Sequence, residues 1–407
     1  MVAIARIPTA PELVAHLDRH VVGQRRAKRR LAMAVYRHYL GLRLRTLAQA
    51  RDGLGRQHQL LLGPTGVGKS LLVRSLTHVL GVPTAFVSAP SLVETGYVGT
   101  PVEAAFTTLL ERAQGDAMLA EHGIVFLDEF DKLRRAREVG RDVSGEGVQN
   151  GLLTLLDGRP VRVRYRDREV TLDSSQVLFL CTGAFTGLTR IVRERLSRSE
   201  AGLGFRGRAR SRRDVDAPEL LLQVTPEDLE RFGFIPELVG RFAGIVALDP
   251  LSREELDRVL ADVSSSPLQL QGRLFALHGV RLEVPVDARA AIVDRAIAQG
   301  LGARALHRIV GEVFSALEFR LPDLAREGVG LVRMTLAAVE GRGEPELVPA
   351  SSLEGEQPEA EAEDLLQGPI GRPRLPIRPE PIVFAPRERR RPPRRPLDGP
   401  SLFEPES

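Results

Sequence analysis

The segment GPTGVGKS, Gly63–Ser70, has the spacing G-x-x-x-x-G-K-[ST]. That spacing serves phosphate binding. Glycines let backbone N–H groups close around phosphate oxygens. Lys69 supplies a point charge to the β- and γ-phosphates, and the Ser70 hydroxyl reaches Mg²⁺. The positive end of the following helix favours the anion. The residues assigned to the nucleotide here are Gly63, Pro64, Thr65, Gly66, Val67, Gly68, Lys69, Ser70 and Leu71. Composition sharpens the assignment. Of 57 basic residues 54 are arginine, and only Lys28, Lys69 and Lys132 are lysine.

The second chemical signal is GIVFLDEFDK, Gly123–Lys132, in which an apolar run ends in two adjacent carboxylates. Asp128, at a strand end, can hold Mg²⁺ through its water shell. Glu129 can orient and polarise an attacking water, which favours hydrolysis over transfer of phosphate to a small acceptor. Metal contacts are therefore assigned to Ser70 and Asp128.

The elements that must position these residues follow from periodicity. Apolar runs at 57–62, 84–89, 123–128, 176–182 and 244–248 alternate with helical stretches, the pattern of a parallel sheet covered on both faces. Residues 12–50 read as helix interrupted at Gly23. Residues 251–338 read as mainly helical, with candidate short strands at 280–284 and 332–336. The fold class is α/β: a large domain with a parallel sheet (1–248), a small, mostly helical domain (249–345) and a tail (346–407). The tail carries 12 of the chain's 28 prolines after residue 350 and little apolar surface, so it is not expected to fold alone.

Composition excludes several classes. With 407 residues, 43 % hydrophobic and 27 % charged, the chain is an ordinary globular protein. It has no run of 18 uncharged apolar residues, so no membrane partner is expected. Met1–Pro11 lacks a signal-peptide core, and Cys181 is the one cysteine, so neither a disulfide nor a zinc knuckle is expected. The expected compartment is the cytoplasm. A net charge of +4 is too small to call for nucleic acid.

With both motifs placed, the sequence resembles the ClpX family of AAA+ protein unfoldases. The likeness covers residues 12–345, roughly four fifths of the chain, and rests on separate segments: VVGQRRAKRRLAMAVYRHY, GPTGVGKS, ETGYVGTPVE, GIVFLDEFDKL, RDVSGEGVQNGLLTLLDG, FLCTGAFTGL, VTPEDLERFGFIPELVGRF and GARALHRIV. The resemblance implies ATP with Mg²⁺, a homo-hexameric ring, substrate proteins as clients and a ClpP-type peptidase as partner. It implies that Val22, Gly23 and Gln24 bind adenine and that Arg241 is a finger reaching a neighbour's γ-phosphate. It makes Arg304 the sensor arginine of the small domain and Thr182 a polar sensor at a strand end. It makes Gly96, Tyr97, Val98 and Gly99 the loop lining a central pore, where a tyrosine grips a passing chain. It makes Leu203, Gly204 and Phe205 the loop that docks on the peptidase. A second pore loop is expected between Leu133 and Ser144.

Three departures qualify the resemblance. The family's amino-terminal zinc-binding domain is expected to be absent, because the sequence begins close to the ATPase core. RVRYRDREV stands where the family carries a basic Arg-Lys-His loop, and the proline- and arginine-rich tail is an addition. Two rival functions stay open at this level. One is a remodelling chaperone without a peptidase. The other is an AAA+ motor on DNA, drawing on the arginines of 206–213 and the tail.

Overall fold

The computed structural model describes residues 7–48, 54–93, 100–135, 145–201, 218–263 and 266–353. From the amino end run α1 (Ala10–His20), α2 (Arg25–Ala48), β1 (Gln59–Leu62), α3 (Lys69–Leu80), β2 (Thr84–Ser88), the short β3 (Leu92–Val93) and β4 (Thr100–Pro101), α4 (Ala104–Arg112) and α5 (Ala117–Glu121). Next come β5 (Ile124–Asp128), α6 (Gly145–Leu156), β6 (Pro160–Tyr165), β7 (Arg168–Asp173), β8 (Leu178–Gly183), α7 (Leu188–Ala201), α8 (Pro226–Phe232), α9 (Pro236–Val239) and β9 (Gly244–Ala247). The chain continues through α10 (Arg253–Ala261), α11 (Pro267–Ala276), β10 (Arg281–Glu283), α12 (Val286–Gln299), α13 (Ala303–Arg326), β11 (Val329–Arg333), α14 (Leu336–Val339) and β12 (Glu346–Pro349).

The central sheet has the order β2-β5-β8-β1-β9, and every pairing in it is parallel. Its inner strands are mainly apolar because both faces are covered. Alternate residues feed two cores. Leu60, Leu62, Val125, Leu127, Phe179 and Cys181 point to one. Leu61, Ile124, Phe126, Leu178, Leu180 and Val246 point to the other, which α1, α2 and α3 close. Each such side chain contributes about 1.5–3 kcal/mol by leaving water. Because β8 lies between β5 and β1, the carboxyl ends of these three strands converge. That is where open α/β sheets hold ligands.

A separate core belongs to the helical body after residue 250, built from α10 to α14 around residues such as Phe275, Ile292, Ile309 and Phe314. Its sheet pairs β10 with β11 in parallel and β11 with β12 antiparallel. Here the structure corrects the sequence reading. The strand expected at 332–336 occupies Val329–Arg333 instead, because the Thr335 hydroxyl accepts from Ala338 N (3.2 Å) and starts a helical turn. The pairing of β12 carries this sheet past residue 345.

The segment RVRYRDREV forms an antiparallel hairpin, with Arg166 at φ +53 in its turn and Val161 and Val163 packed inward. No helix among the described residues is long and apolar enough to cross a membrane. The expected pore loop Gly96, Tyr97, Val98 and Gly99, most of the second pore loop, the docking residues Leu203, Gly204 and Phe205, the arginines of 206–213 and the tail beyond residue 353 lie outside the described residues, while the first residues of the expected tail form β12 and belong to the helical body's sheet.

Candidate nucleotide site

At the end of β1 the chain turns through Gly63–Gly68 into α3. Gly66 and Gly68 take φ of +80° and +93°, left-handed values that glycine tolerates. Lys69 Nζ donates to the carbonyls of Gly63 (2.7 Å) and Pro64 (2.8 Å), so the loop cradles its ammonium. Burial pushes the Lys69 pKa down to about 8. The charges of Asp128 and Asp131 work against that fall, and Arg304 adds to it.

Asp128, at the end of β5, receives three hydrogen bonds. Thr182 Oγ1 donates to its Oδ1 (2.6 Å), Ser70 Oγ to its Oδ2 (2.8 Å) and the Glu129 N–H to its Oδ1 (2.9 Å). Burial works to raise the Asp128 pKa. The bonds from Thr182, Ser70 and Glu129 and the charge of Lys69 outweigh it, so the carboxyl sits below its ordinary value. Glu129 itself has φ +55, a left-handed conformation rare outside glycine. Such backbone costs about 1–3 kcal/mol and gathers at functional sites. The Ser70 hydroxyl and the Asp128 carboxylate are the hard oxygens that Mg²⁺ prefers. When bound, that ion neutralises phosphate charge.

These groups face a cleft of about 510 Å³. Val22, Leu251, Val259 and Pro267 share it with Lys69, Asp128, Glu129 and Arg304. Apolar walls beside cationic groups suit a flat base carrying a polyanion. The helical body also touches the phosphate loop directly. Ala303 N donates to the Gly66 carbonyl (3.1 Å), and a Cβ at position 66 would lie 2.1 Å from Leu301 O. Gly302, at φ +57, faces the carbonyls of Gly66 and Thr65. This contact sets Arg304 at the cleft.

Not every expected residue is there. Val22 lines the nucleotide cleft, but Gly23 and Gln24 line a neighbouring one, because left-handed backbone at both (φ +66 and +56) turns them away toward the start of the helical body. Arg241 stands apart as well. It lines an open surface groove with Arg56 and Asp157, is paired with the Asp157 carboxylate, and is 40 % exposed. Arg56 donates to the Leu156 carbonyl (2.6 Å) and lies 3.6 Å from Asp157 Oδ1, bracing that pair.

Among the cleft residues that the sequence reading left without a role are Asp131, His20 and His307. Asp131 is nearly buried and accepts from Ala184 N (3.2 Å). It lay inside the segment already singled out, three residues after Asp128. His20 closes α1, and His307 sits one helical turn after Arg304. That i,i+3 spacing was the available signal.

The parallel sheet, the phosphate loop, the acid pair at the end of β5 and the helical lid together define an AAA+ ATPase. Residues 56–245 match the family described as AAA domain (Cdc48 subfamily), and 251–315 match the C-terminal D2-small domain of ClpB protein. Among curated proteins, the ATP-dependent Clp protease ATP-binding subunit ClpX of Treponema denticola is 40 % identical over 328 residues, covering 78 % of each chain. The ATP-dependent Clp protease ATP-binding subunit ClpX 3 of Methylococcus capsulatus is 37 % identical over 336 residues, 78 % of this chain and 77 % of its own. The chain belongs to the ClpX family.

Proposed function

We propose that this ATPase is a protein unfoldase and translocase. Subunits assemble as a homo-hexameric ring, hydrolyse ATP with Mg²⁺, and thread substrate proteins through the centre into a ClpP-type peptidase. The observation that carries the reading is that both bodies build the nucleotide cleft: Lys69 and Asp128 come from one, Leu251 and Arg304 from the other. A nucleotide bridging them ties its own state to the angle between the bodies. Arg241 lies in a separate exposed groove, which suits a guanidinium that serves a neighbour's phosphate. Lys69 and Arg304 bind phosphate, Ser70 and Asp128 hold the cation, Thr182 aims Asp128, and Glu129 takes the proton of the attacking water. Tyr97 would grip the client, and Leu203 to Phe205 would dock on the peptidase.

The test uses two variants. Glu129→Gln keeps ATP binding and stops turnover. Tyr97→Ala keeps ATP turnover but loses unfolding of a tagged fluorescent reporter. Unfolding that persists unchanged in Tyr97→Ala refutes threading. ATPase and unfolding rates that ignore an added ClpP-type peptidase remove that partner and leave a remodelling chaperone.

A further inference from the structure

The turn between α1 and α2 has two faces. Val21 and Val22 line the nucleotide cleft, while Gly23 and Gln24 meet the connection into the helical body. Gln24 is 4 % exposed, and its amide closes on a single distant residue. Nε2 donates to the Asp249 carbonyl (2.7 Å), and the Asp249 N–H donates to Oε1 (3.0 Å). One side chain thus satisfies both backbone groups of Asp249, as a neighbouring strand would.

The turn is itself anchored. The buried Lys28, one of the chain's three lysines, donates to Asp18 Oδ1 (2.7 Å) and to the Val21 carbonyl, and its N–H donates to the Gln24 carbonyl (2.9 Å). Gly23 takes φ +66°, which disfavours a side chain, and a Cβ there would lie 2.2 Å from Glu255 Oε1 in the first turn of α10, so that carboxylate would have to move.

The position of Asp249 matters. Leu248 N donates to the Leu62 carbonyl (2.8 Å), the last bond from this segment to the sheet. Gln24 then holds the next residue. After it come Pro250, which has no N–H to tether, Leu251, which lines the nucleotide cleft, and Ser252, which caps α10.

We propose that Gln24 is a positioning residue that pins Asp249, so that rotation of the helical body is confined to Pro250–Ser252 and answers to the nucleotide beside Val22 and Leu251. This deepens the function proposed above and rests on it. It differs from a direct contact of Gln24 with adenine.

The test compares full-length wild type with Gln24→Asn and Gln24→Gly. Asparagine keeps the amide and tolerates the left-handed φ, but it is one methylene short. Glycine takes that φ without strain. Both variants should bind ADP within about threefold of wild type and keep the preference for ATP over GTP, while turnover at saturating ATP falls about tenfold. Cys181, the chain's single cysteine, is buried and its thiol pKa is pushed up by burial, so introduced cysteines can be labelled alone.

Spin labels at Glu169→Cys and Asp323→Cys, both exposed and one on each body, are measured in labelled subunits diluted into wild type with ADP. Their distance distribution should be narrow with Gln24 and broad in both variants. Loss of adenine preference with an unchanged distribution would make Gln24 a base contact and overturn the proposal. Unchanged turnover together with an unchanged distribution overturns it as well. A wild type that hydrolyses no ATP defeats the reading of the cleft, while the distances still judge Gln24.

Discussion

Replacing Thr182 by valine isolates one atom of the site. Thr182 is fully buried in β8, and its hydroxyl makes the shortest of the three bonds to Asp128, at 2.6 Å. Valine keeps the shape and removes the donor, leaving Oδ1 with the Glu129 N–H alone. A hydrogen bond to a charged group contributes about 1.5–3 kcal/mol. Partners that orient a metal-binding carboxylate typically change metal affinity or activity by about 10- to 100-fold. The Mg²⁺ concentration giving half-maximal ATP turnover should therefore rise at least about tenfold in Thr182→Val. Thr182→Ser should restore it.

The pH profile gives an independent reading. The Thr182 bond helps hold the Asp128 pKa down. Without it that pKa rises, and the acid limb of the activity moves to higher pH. The assay is a coupled ADP-release measurement titrated with Mg²⁺ at saturating ATP, repeated across pH. A Thr182→Val enzyme with the wild-type Mg²⁺ requirement, or a serine variant as impaired as valine, would refute the reasoning.

Two further predictions concern the cations. With the Lys69 pKa near 8 in the free protein, Lys69 is protonated below that pH. Affinity for a fluorescent ADP should be level below pH 8 and fall about tenfold per unit above it. A level titration to pH 9.5 would contradict this. Arg241→Ala should lower turnover about 10³-fold while its own cleft, which Arg241 does not line, binds nucleotide normally. Mixing those subunits with Glu129→Gln subunits should recover turnover that neither has alone, because one supplies the glutamate and the other the finger. A mixture as inactive as its parts would exclude action between subunits.

The buried strands are legible in the sequence because covering both faces demands long apolar runs, and two of them carry their own marker: β1 runs directly into the phosphate loop at Gly63, and β5 ends in Asp128 of the acid motif. The hairpin at 160–173 is less so. No strand is expected there from the sequence, although Val161, Val163 and Tyr165 alternate, and its turn uses Arg166 at φ +53 where glycine would have announced it. Gln24 is hidden for a related reason. Nothing local marks a left-handed glutamine, and its partner lies 225 residues away. The pairing of Arg241 with Asp157 is hidden among 54 arginines. Only the meeting of the end of α6 with the turn after α9 selects it.

The phosphate-loop pattern asks for glycine at 63 and 68 and leaves position 66 open, yet Leu301 and Ala303 leave no space there for anything larger. Gly66 and Gly302 are therefore one joint made from two halves of the gene. A chimera that grafts a foreign lid onto this motor would inherit a collision unless the graft brings its own glycine at the junction, and a library randomising either position alone would sample mostly jammed machines.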